Sequence, residues 1–115
     1  MAADDDGKLS NVMTEILLTL SREPLHGYAI KLDVEARIGD GYVLGSGSLY
    51  QALQRLERRG LISEVPELVT DDGRRGRTYR IEPGGTERLK RELARMDRVL
   101  ADARRHDIET EERAS

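Results

Sequence analysis

The sequence predicts an α+β fold that is mostly α, with a series of helices, one β-hairpin and a long last helix. Apolar residues recur at helical spacing in several segments of the 115-residue chain. Two short β-prone runs, at residues 61–65 and 78–81, flank the turn signal Asp71-Asp72-Gly73. A last helical pattern begins at Pro83, a residue that suits the first position of a helix, and continues to about Asp107.

Length and composition limit the class of protein. The chain is one domain by length, and without Phe or Trp its core is expected to consist of Leu, Ile, Val, Ala and Met. The absence of cysteine excludes disulfides, thiolate zinc sites and cysteine nucleophiles, which fits a reducing cytoplasm. No apolar run reaches the roughly 20 residues that span a bilayer, and the acidic start is unlike a signal peptide. We therefore expect a cytoplasmic protein without a membrane partner.

The first two helices are predicted from apolar spacing and from the residues at their ends. Helix one covers about residues 10–20, with a cap at Ser10 or Asn11, and ends before Pro24. Helix two covers about residues 26–37. Its apolar residues are expected to share one face: Tyr28, Ala29, Leu32 and Ala36. A glycine-rich loop follows at residues 39–47.

The third helix is the clearest element, from Ser48 to about Arg59. Ser48 and Gln51 have the spacing of a capping box, and Gly60 is placed to end the helix. A hairpin over residues 61–82 follows. The predicted organisation is a flexible acidic tail at 1–9, a domain at 10–82, a C-terminal helix at 83–108 and a flexible tail at 109–115.

The charges of the chain are segregated, so its formal net charge of −3 does not argue against nucleic acid. Acidic residues concentrate near the two ends. Basic residues concentrate at 55–59 and at 74–80, and the second stretch holds four arginines and no acid. One face of the protein can therefore be positive although the chain is negative.

The third helix has an apolar side and a polar side at about 100° per residue. Leu49, Leu53 and Leu56 lie on the apolar side. The opposite side holds no acid, and its residues are Gln51, Gln54, Arg55 and Arg58. Arginine pairs with guanine and glutamine with adenine in the major groove. A core-packed helix with a polar back is the alternative, but the residue types favour DNA.

The hairpin tip predicts a second DNA contact. Arg74, Arg75 and Arg77 surround Gly73 and Gly76, and together make a cationic loop that can reach phosphates or follow the minor groove. A solvated charged turn is the alternative for the hairpin taken alone. The order of helix, turn, basic helix and basic hairpin in one short chain favours DNA binding.

Several motifs resemble those of the PadR family of bacterial transcriptional regulators. They are, in chain order, Leu25-His26-Gly27-Tyr28, the run Gly47-Ser48-Leu49-Tyr50-Gln51-Ala52-Leu53-Gln54-Arg55-Leu56-Glu57, Gly60-Leu61-Ile62, and Gly76-Arg77-Thr78-Tyr79-Arg80-Ile81 with Gly85. The similarity covers about residues 11–95, and the long run followed by Gly-Leu-Ile is its most specific part. The short chain with one C-terminal helix resembles the small subfamily.

This resemblance implies a winged helix-turn-helix fold with a long C-terminal dimerisation helix, and a homodimer formed through the first and last helices. It places Ser48 and Tyr50 at the start of the recognition helix. We expect Tyr50 to contact a phosphate, with packing between helices two and three as the alternative, and the wing arginines to contact the DNA backbone. Repression relieved by a small hydrophobic or aromatic effector is also implied. The chain departs from the family at Ile81-Glu82, where Leu-Thr is frequent, and lacks the tryptophan with which some small members stack aromatic ligands.

The last helix predicts dimerisation from its own spacing. Leu89, Leu93, Met96, Leu100 and Ala103 are spaced 4, 3, 4 and 3 residues apart, which is a heptad seam. This seam either folds back on its own domain or pairs with a second chain, and a winged-helix unit has little spare surface to cover it. Met13 and Leu17 of the first helix complete the predicted dimerisation set. Two recognition helices about 34 Å apart would then read a pseudo-palindromic operator.

No other pattern in the sequence supports chemistry. The loop at 39–47 lacks the spacing of phosphate-binding loops, and His26 and His106 lie in separate segments without metal-ligand spacing. We expect no catalytic residue, metal or cofactor, and therefore no enzyme. The predicted function is a sequence-specific regulator of transcription that binds double-stranded DNA, acting as a repressor. The alternative is a winged-helix module for protein–protein interaction or small-molecule sensing, with a ligand cavity at the dimer interface.

Overall fold

The computed structural model describes residues 7–66 and 77–106. Its elements are α1 (Asn11–Leu20), β1 (Leu25–His26), α2 (Gly27–Ile38), α3 (Ser46–Arg58), β2 (Ile62–Val65), β3 (Thr78–Ile81) and α4 (Pro83–Arg105). The strands form an antiparallel sheet in the order β1-β3-β2. Helices packed on a small sheet, with the β2–β3 hairpin as a wing and α4 extending away, make a winged helix-turn-helix domain. The predicted fold class is confirmed.

Helix α1 forms over the residues that its spacing predicts. The Ser10 side chain accepts a hydrogen bond from the Met13 N–H at 3.1 Å, a cap that stabilises a helix by about 1 kcal/mol. Met13 and Leu17, however, are only 2% and 0% exposed and lie in the protomer's own core. The prediction that both contact a second protomer is wrong, because apolar side chains at these positions are already covered within one chain.

Helix α2 buries a different face from the one that its apolar residues predict. Gly27, Ile30 and Val34 are buried, whereas Tyr28 and Leu32 are 56% and 45% exposed. The sequence analysis also missed β1, which pairs with β3 immediately before the helix. Because the sheet fixes the start of α2, it also fixes which face of the helix turns inward.

Helix α3 begins two residues before the predicted Ser48. Gly45 is the N-cap residue, no side chain caps this end, and Ser48 lies exposed in the first turn. The predicted capping box between Ser48 and Gln51 is therefore wrong. The box does not form because the helix has already begun before Ser48: the Leu49 N–H donates a helical hydrogen bond to the Gly45 carbonyl at 2.9 Å.

The end of α3 matches the prediction at Gly60. This glycine has φ +73°, a conformation that side chains disfavour, and its N–H donates to the Glu57 carbonyl at 2.9 Å. The next N–H, of Leu61, donates to the Leu56 carbonyl at 2.9 Å. These two bonds form a Schellman motif, which satisfies the last carbonyls of the helix.

Helix α4 is attached to the domain at Leu61. The Glu82 N–H donates to the Leu61 carbonyl at 2.9 Å, and Gly85 is buried against the same residue. Leu89 is 4% exposed and is the last residue of α4 that is fully buried in the core. The helix therefore has a buried base and an extended, exposed remainder.

One aromatic residue joins the aliphatic core. Tyr79, at 1% exposure, packs in the cluster formed by α1, α2, α3 and the sheet. A core of Leu, Ile, Val, Ala and Met alone was expected, and this expectation is wrong. The hydroxyl group is tolerated because the Arg77 side chain hydrogen-bonds to it, although burial still raises the pKa of Tyr79.

Residues 7–9, which were expected to belong to a flexible tail, are held against the domain. The Gly7 carbonyl accepts hydrogen bonds from Arg59 at 3.2 Å and from Arg88 at 3.1 Å. Leu9 is partly buried and packs on the core. None of the helices in the described part of the chain combines the length and hydropathy needed to cross a membrane.

Candidate nucleic-acid interface

The solvent side of α3 is the strongest candidate for a nucleic-acid interface. Leu49, Leu53 and Leu56 are at most 3% exposed and hold the helix on the core. The opposite side is open to solvent at all of its predicted base-contacting residues: Gln51, Gln54, Arg55 and Arg58. Arg55 and Arg58 also lie in the last turn, where positive charge favours the helix dipole. We call this surface the recognition face.

Tyr50 lies between α3 and the start of α2. Its side chain is 50% exposed, and a Cβ added at Gly27 would lie 3.9 Å from its hydroxyl oxygen. Ser48, two residues earlier in the first turn of α3, is exposed as well. The Tyr50 hydroxyl thus lies near the first residue of α2 while half of the side chain is exposed, so both predicted roles, packing and ligand contact, are compatible with this position.

The base of the wing presents Arg77. Its exposed guanidinium lies 3.9 Å from the Glu64 carboxylate, and the hydrogen bond to Tyr79, followed by the charge of Glu64, raises the pKa of Arg77. The Arg77 carbonyl accepts a hydrogen bond from the Gly27 N–H at 3.3 Å, which ties the wing to the start of α2. Arg74 and Arg75, the other predicted wing residues, lie outside the described residues.

An ionic cluster fixes the two helices that precede the recognition helix. Arg37 of α2 donates to the Glu15 carboxylate of α1 at 2.6 Å and to Asp33 at 2.9 Å. The Thr19 hydroxyl donates to Asp33 at 2.7 Å, and this bond is the main cause of the lowered pKa of Asp33. The cluster crosses from α1 to α2 and so holds their packing angle.

Glu35 positions the loop that leads into α3, and the sequence analysis did not identify it. Its carboxylate accepts hydrogen bonds from Lys31 Nζ at 2.8 Å and from the Leu44 N–H at 2.8 Å. Leu44 is 1% exposed, so its backbone and side chain are both fixed just before the helix begins. The Lys31 bond, then the Leu44 bond, lower the pKa of Glu35.

We expect Glu35→Gln to lower stability at neutral pH and to remove part of the acid sensitivity. Because the folded-state pKa of Glu35 lies below its ordinary value of 4.5, the stabilisation is present above that pH and is lost as pH falls through the folded pKa. Urea unfolding from pH 7 to pH 3 measures this, as a difference between wild type and variant that shrinks at low pH. A pH-independent difference would contradict the assignment. Glu23→Gln is the control, since Glu23 is exposed and makes no hydrogen bond or ion pair within the described ranges.

The heptad seam on α4 is mostly uncovered in the single chain. Leu89 is buried, but Leu93 and Met96 are 39% and 45% exposed. Leu100 and Ala103 are partly exposed. Val99, which the seam spacing did not include, is 58% exposed beside it. The helix does not fold back to cover these side chains in the described structure.

No metal site is evident in residues 7–66 and 77–106, because no group of three His, Cys, Asp or Glu side chains lies close enough to hold an ion. His26 is the N-cap residue of α2 and pairs with Thr78 in the sheet, so it has a structural position at a helix start. His106 follows the end of α4.

A winged helix-turn-helix domain with a polar, acid-free recognition face has the architecture of a transcriptional regulator. The model of the PadR-like family of transcriptional regulators matches residues 16–91. The chain belongs to this family, which confirms the resemblance drawn from its motifs. Members of this family are transcriptional regulators and not enzymes, in agreement with the expectation from the sequence.

Three known proteins illustrate the similarity. An uncharacterized 37.1 kDa protein in transposon TN4556 of Streptomyces fradiae is 42% identical over 84 residues, which is 73% of this chain and 22% of that protein. This chain thus spans about a fifth of that relative's length. A transcriptional regulator from Clostridium thermocellum Cth-833 is 26% identical, with a TM-score of 0.67 over 82% of this chain and 90% of the other. Bacillus subtilis PadR in complex with operator DNA is 20% identical, with a TM-score of 0.63, and the match covers 73% of this chain and 47% of the other.

Proposed function

We propose that the chain is a sequence-specific regulator that binds double-stranded DNA as a homodimer and represses transcription by occluding a promoter. The observation that carries this proposal is the recognition face, because it presents glutamine and arginine without an acid on a helix anchored by buried leucines. The fold that it shares with Bacillus subtilis PadR, a protein solved on operator DNA, supports the same assignment.

In this proposal α3 enters the major groove. Arginine donates two hydrogen bonds to guanine, whereas the glutamine amide donates one hydrogen bond to adenine N7 and accepts one from the N6 amino group. Gln51, Gln54, Arg55 and Arg58 are the proposed base-contacting residues. They lie on one side of a helix that the core holds rigidly, which is what base discrimination requires.

The backbone contacts are proposed at the two ends of the recognition face. Helix N-termini favour phosphate groups, and the Tyr50 hydroxyl lies beside Gly27, the first residue of α2. Ser48 lies in the first turn of α3. On the other side, Arg77 and the arginines Arg74 and Arg75 of the wing are proposed to contact the sugar-phosphate backbone, and these contacts position the protein without reading sequence.

Dimerisation is proposed through the exposed seam of α4, with Leu93, Met96 and Leu100 at its centre and Val99 at its edge. Paired seams bury side chains that one chain leaves exposed, and hydrophobic burial is the main driving force of association. A two-fold dimer would place its recognition helices on successive major grooves of a pseudo-palindromic operator. A small hydrophobic or aromatic effector bound between the protomers would then relieve repression.

Fluorescence anisotropy on the DNA upstream of its own gene, across a salt series, tests the proposal. Each phosphate contact should add about −0.9 to the slope of log K against log salt. Gln54→Ala should reduce discrimination at particular base pairs by about 1–3 kcal/mol, whereas Arg77→Ala should weaken binding to all sequences alike and flatten the slope by about one contact.

The contradicting outcome is equal affinity for upstream and random duplex, or an affinity that does not change with salt. Saturable binding of a hydrophobic ligand without any DNA affinity would instead favour the alternative, a sensing module with a cavity at the dimer interface. Lys90→Ala provides the matched control for loss of one positive charge, because Lys90 lies on α4 away from the recognition face.

A further inference from the structure

A cationic groove lies between residues 7–9 and one side of α4. It encloses about 370 Å³. Five of its lining side chains are positive and one is negative: Lys8, Arg88, Arg91, Arg95, Arg98 and Glu92. Neither the recognition face nor the α4 seam contributes a side chain to this groove.

Most of the positive charge in the groove is not neutralised by the protein. Glu92 pairs with Arg95 at 2.7 Å, and Arg88 donates to the Gly7 carbonyl at 3.1 Å. Within the described ranges, Lys8, Arg91 and Arg98 make no hydrogen bond or ion pair. One carboxylate therefore faces five cations.

The arrangement of these arginines works against the helix that carries them. Arg88, Arg91, Arg95 and Arg98 follow one another at intervals of three or four residues, so they form one stripe along α4. Like charges at this spacing destabilise a helix. The same positive surroundings act on Glu92, whose pKa is lowered first by the hydrogen bond to Arg95 and further by the charges of Arg95, Arg88 and Lys8.

We propose that this groove binds a small molecule that carries two or more phosphate groups. Arginine forks bind phosphate oxygens through paired, charge-assisted hydrogen bonds. From Arg88 to Arg98 the stripe runs about 15 Å along the helix, which is longer than one phosphate group requires. The groove volume is at the lower end of the range for small-molecule sites, about 300–1,000 Å³.

The stripe is accessible whether or not the α4 seam is paired. At about 100° per residue, Arg91, Arg95 and Arg98 point more than about 100° away from the line of Leu93, Met96 and Leu100. A second copy that covers the seam therefore leaves this side of α4 open. Phosphate binding in this groove does not require DNA binding.

Isothermal titration calorimetry of the full chain with inorganic tripolyphosphate tests the site, with orthophosphate and citrate as comparison ligands. Tripolyphosphate should bind saturably, at one per chain, and more tightly than either comparison ligand. Arg91→Gln with Arg98→Gln should weaken it by about tenfold or more, since two charge-assisted contacts are removed. Lys90→Gln with Arg104→Gln, an exposed pair on α4 outside the groove, should change the affinity by less than about twofold.

Absence of saturable binding, or an equal loss in both double variants, would overturn the proposal, because the effect would then follow net charge alone. Citrate binding as tight as tripolyphosphate would overturn the phosphate assignment. If Arg91→Gln with Arg98→Gln lowered the salt slope of DNA binding instead, the stripe would be a DNA surface. Far-UV circular dichroism of each variant verifies that α4 is retained. A failure of the DNA-binding experiment leaves the calorimetric result unaffected, so the two proposals can fail separately.

Discussion

Replacing Gly85 with alanine should destabilise the domain by about 3 kcal/mol or more, or prevent folding altogether. A Cβ at this position would lie 2.1 Å from the Leu61 carbonyl oxygen and 2.8 Å from Cγ1 of Ile81. The nearest atom belongs to backbone, which cannot rotate away as the end of a side chain can. Because the Leu61 carbonyl also accepts the hydrogen bond from Glu82, moving it disrupts the start of α4 as well.

Gly84→Ala is the matched control in the same turn. A Cβ there would meet the Gly60 oxygen and Leu61 Cδ2 at 3.7 Å, an ordinary contact distance. Alanine is a better helix former than glycine by up to about 1 kcal/mol, so this variant should be as stable as wild type or slightly more stable. Urea unfolding measures the free energy of unfolding of both variants. Similar stabilities for the two variants would contradict the close approach of α4 to Leu61.

Introducing two charges into the seam, as Leu93→Glu with Met96→Glu, should convert the proposed dimer into a monomer. The substitutions place carboxylates where apolar side chains would be buried, and unpaired charge is costly to desolvate. Affinity for a two-half-site operator should fall by about 100-fold or more, because a monomer engages only one half-site. Analytical ultracentrifugation measures the oligomeric state, and fluorescence anisotropy measures the affinity for the operator. Folding should survive, since both side chains are already substantially exposed in one chain.

The control for the seam is Ala94→Glu with Ala101→Glu. Both alanines are exposed and point more than about 100° away from the line of Leu93, Met96 and Leu100, so the added charge is equal while the seam is intact. These variants should remain dimeric and bind DNA with little change. A dimer that persists in Leu93→Glu with Met96→Glu would place the protomer contact elsewhere, and the exposed Tyr28 and Leu32 of α2 would be the next surface to examine.

The sequence predicts those parts of the structure that depend on local spacing. The two sides of α3 and the Gly60 end follow from helical periodicity and glycine conformation, and the structure has both. The exposed line of Leu93 and Met96 follows from heptad spacing, although the second chain that it implies is still a prediction.

Features set by distant residues could not be predicted in this way. The buried face of α2 depends on the pairing of Leu25 and His26 with β3, and a two-residue strand gives no alternation to recognise. The bond from Leu44 to Glu35 joins two helices through a loop, so helical spacing reveals only the Lys31–Glu35 half of it. The cationic groove exists because Gly7 and Arg88 meet, which no local pattern could indicate.

The two backbone hydrogen bonds of Leu61 couple the recognition helix to α4. The Leu61 N–H donates to the end of α3 and its carbonyl accepts from the residue that caps α4, so the backbone of one residue holds the two helix ends together. If protomers pair through α4, each protomer then moves as a rigid body about the dimer axis. A ligand that alters the crossing angle of the two α4 helices would change the spacing of the recognition helices directly, without any rearrangement inside either core.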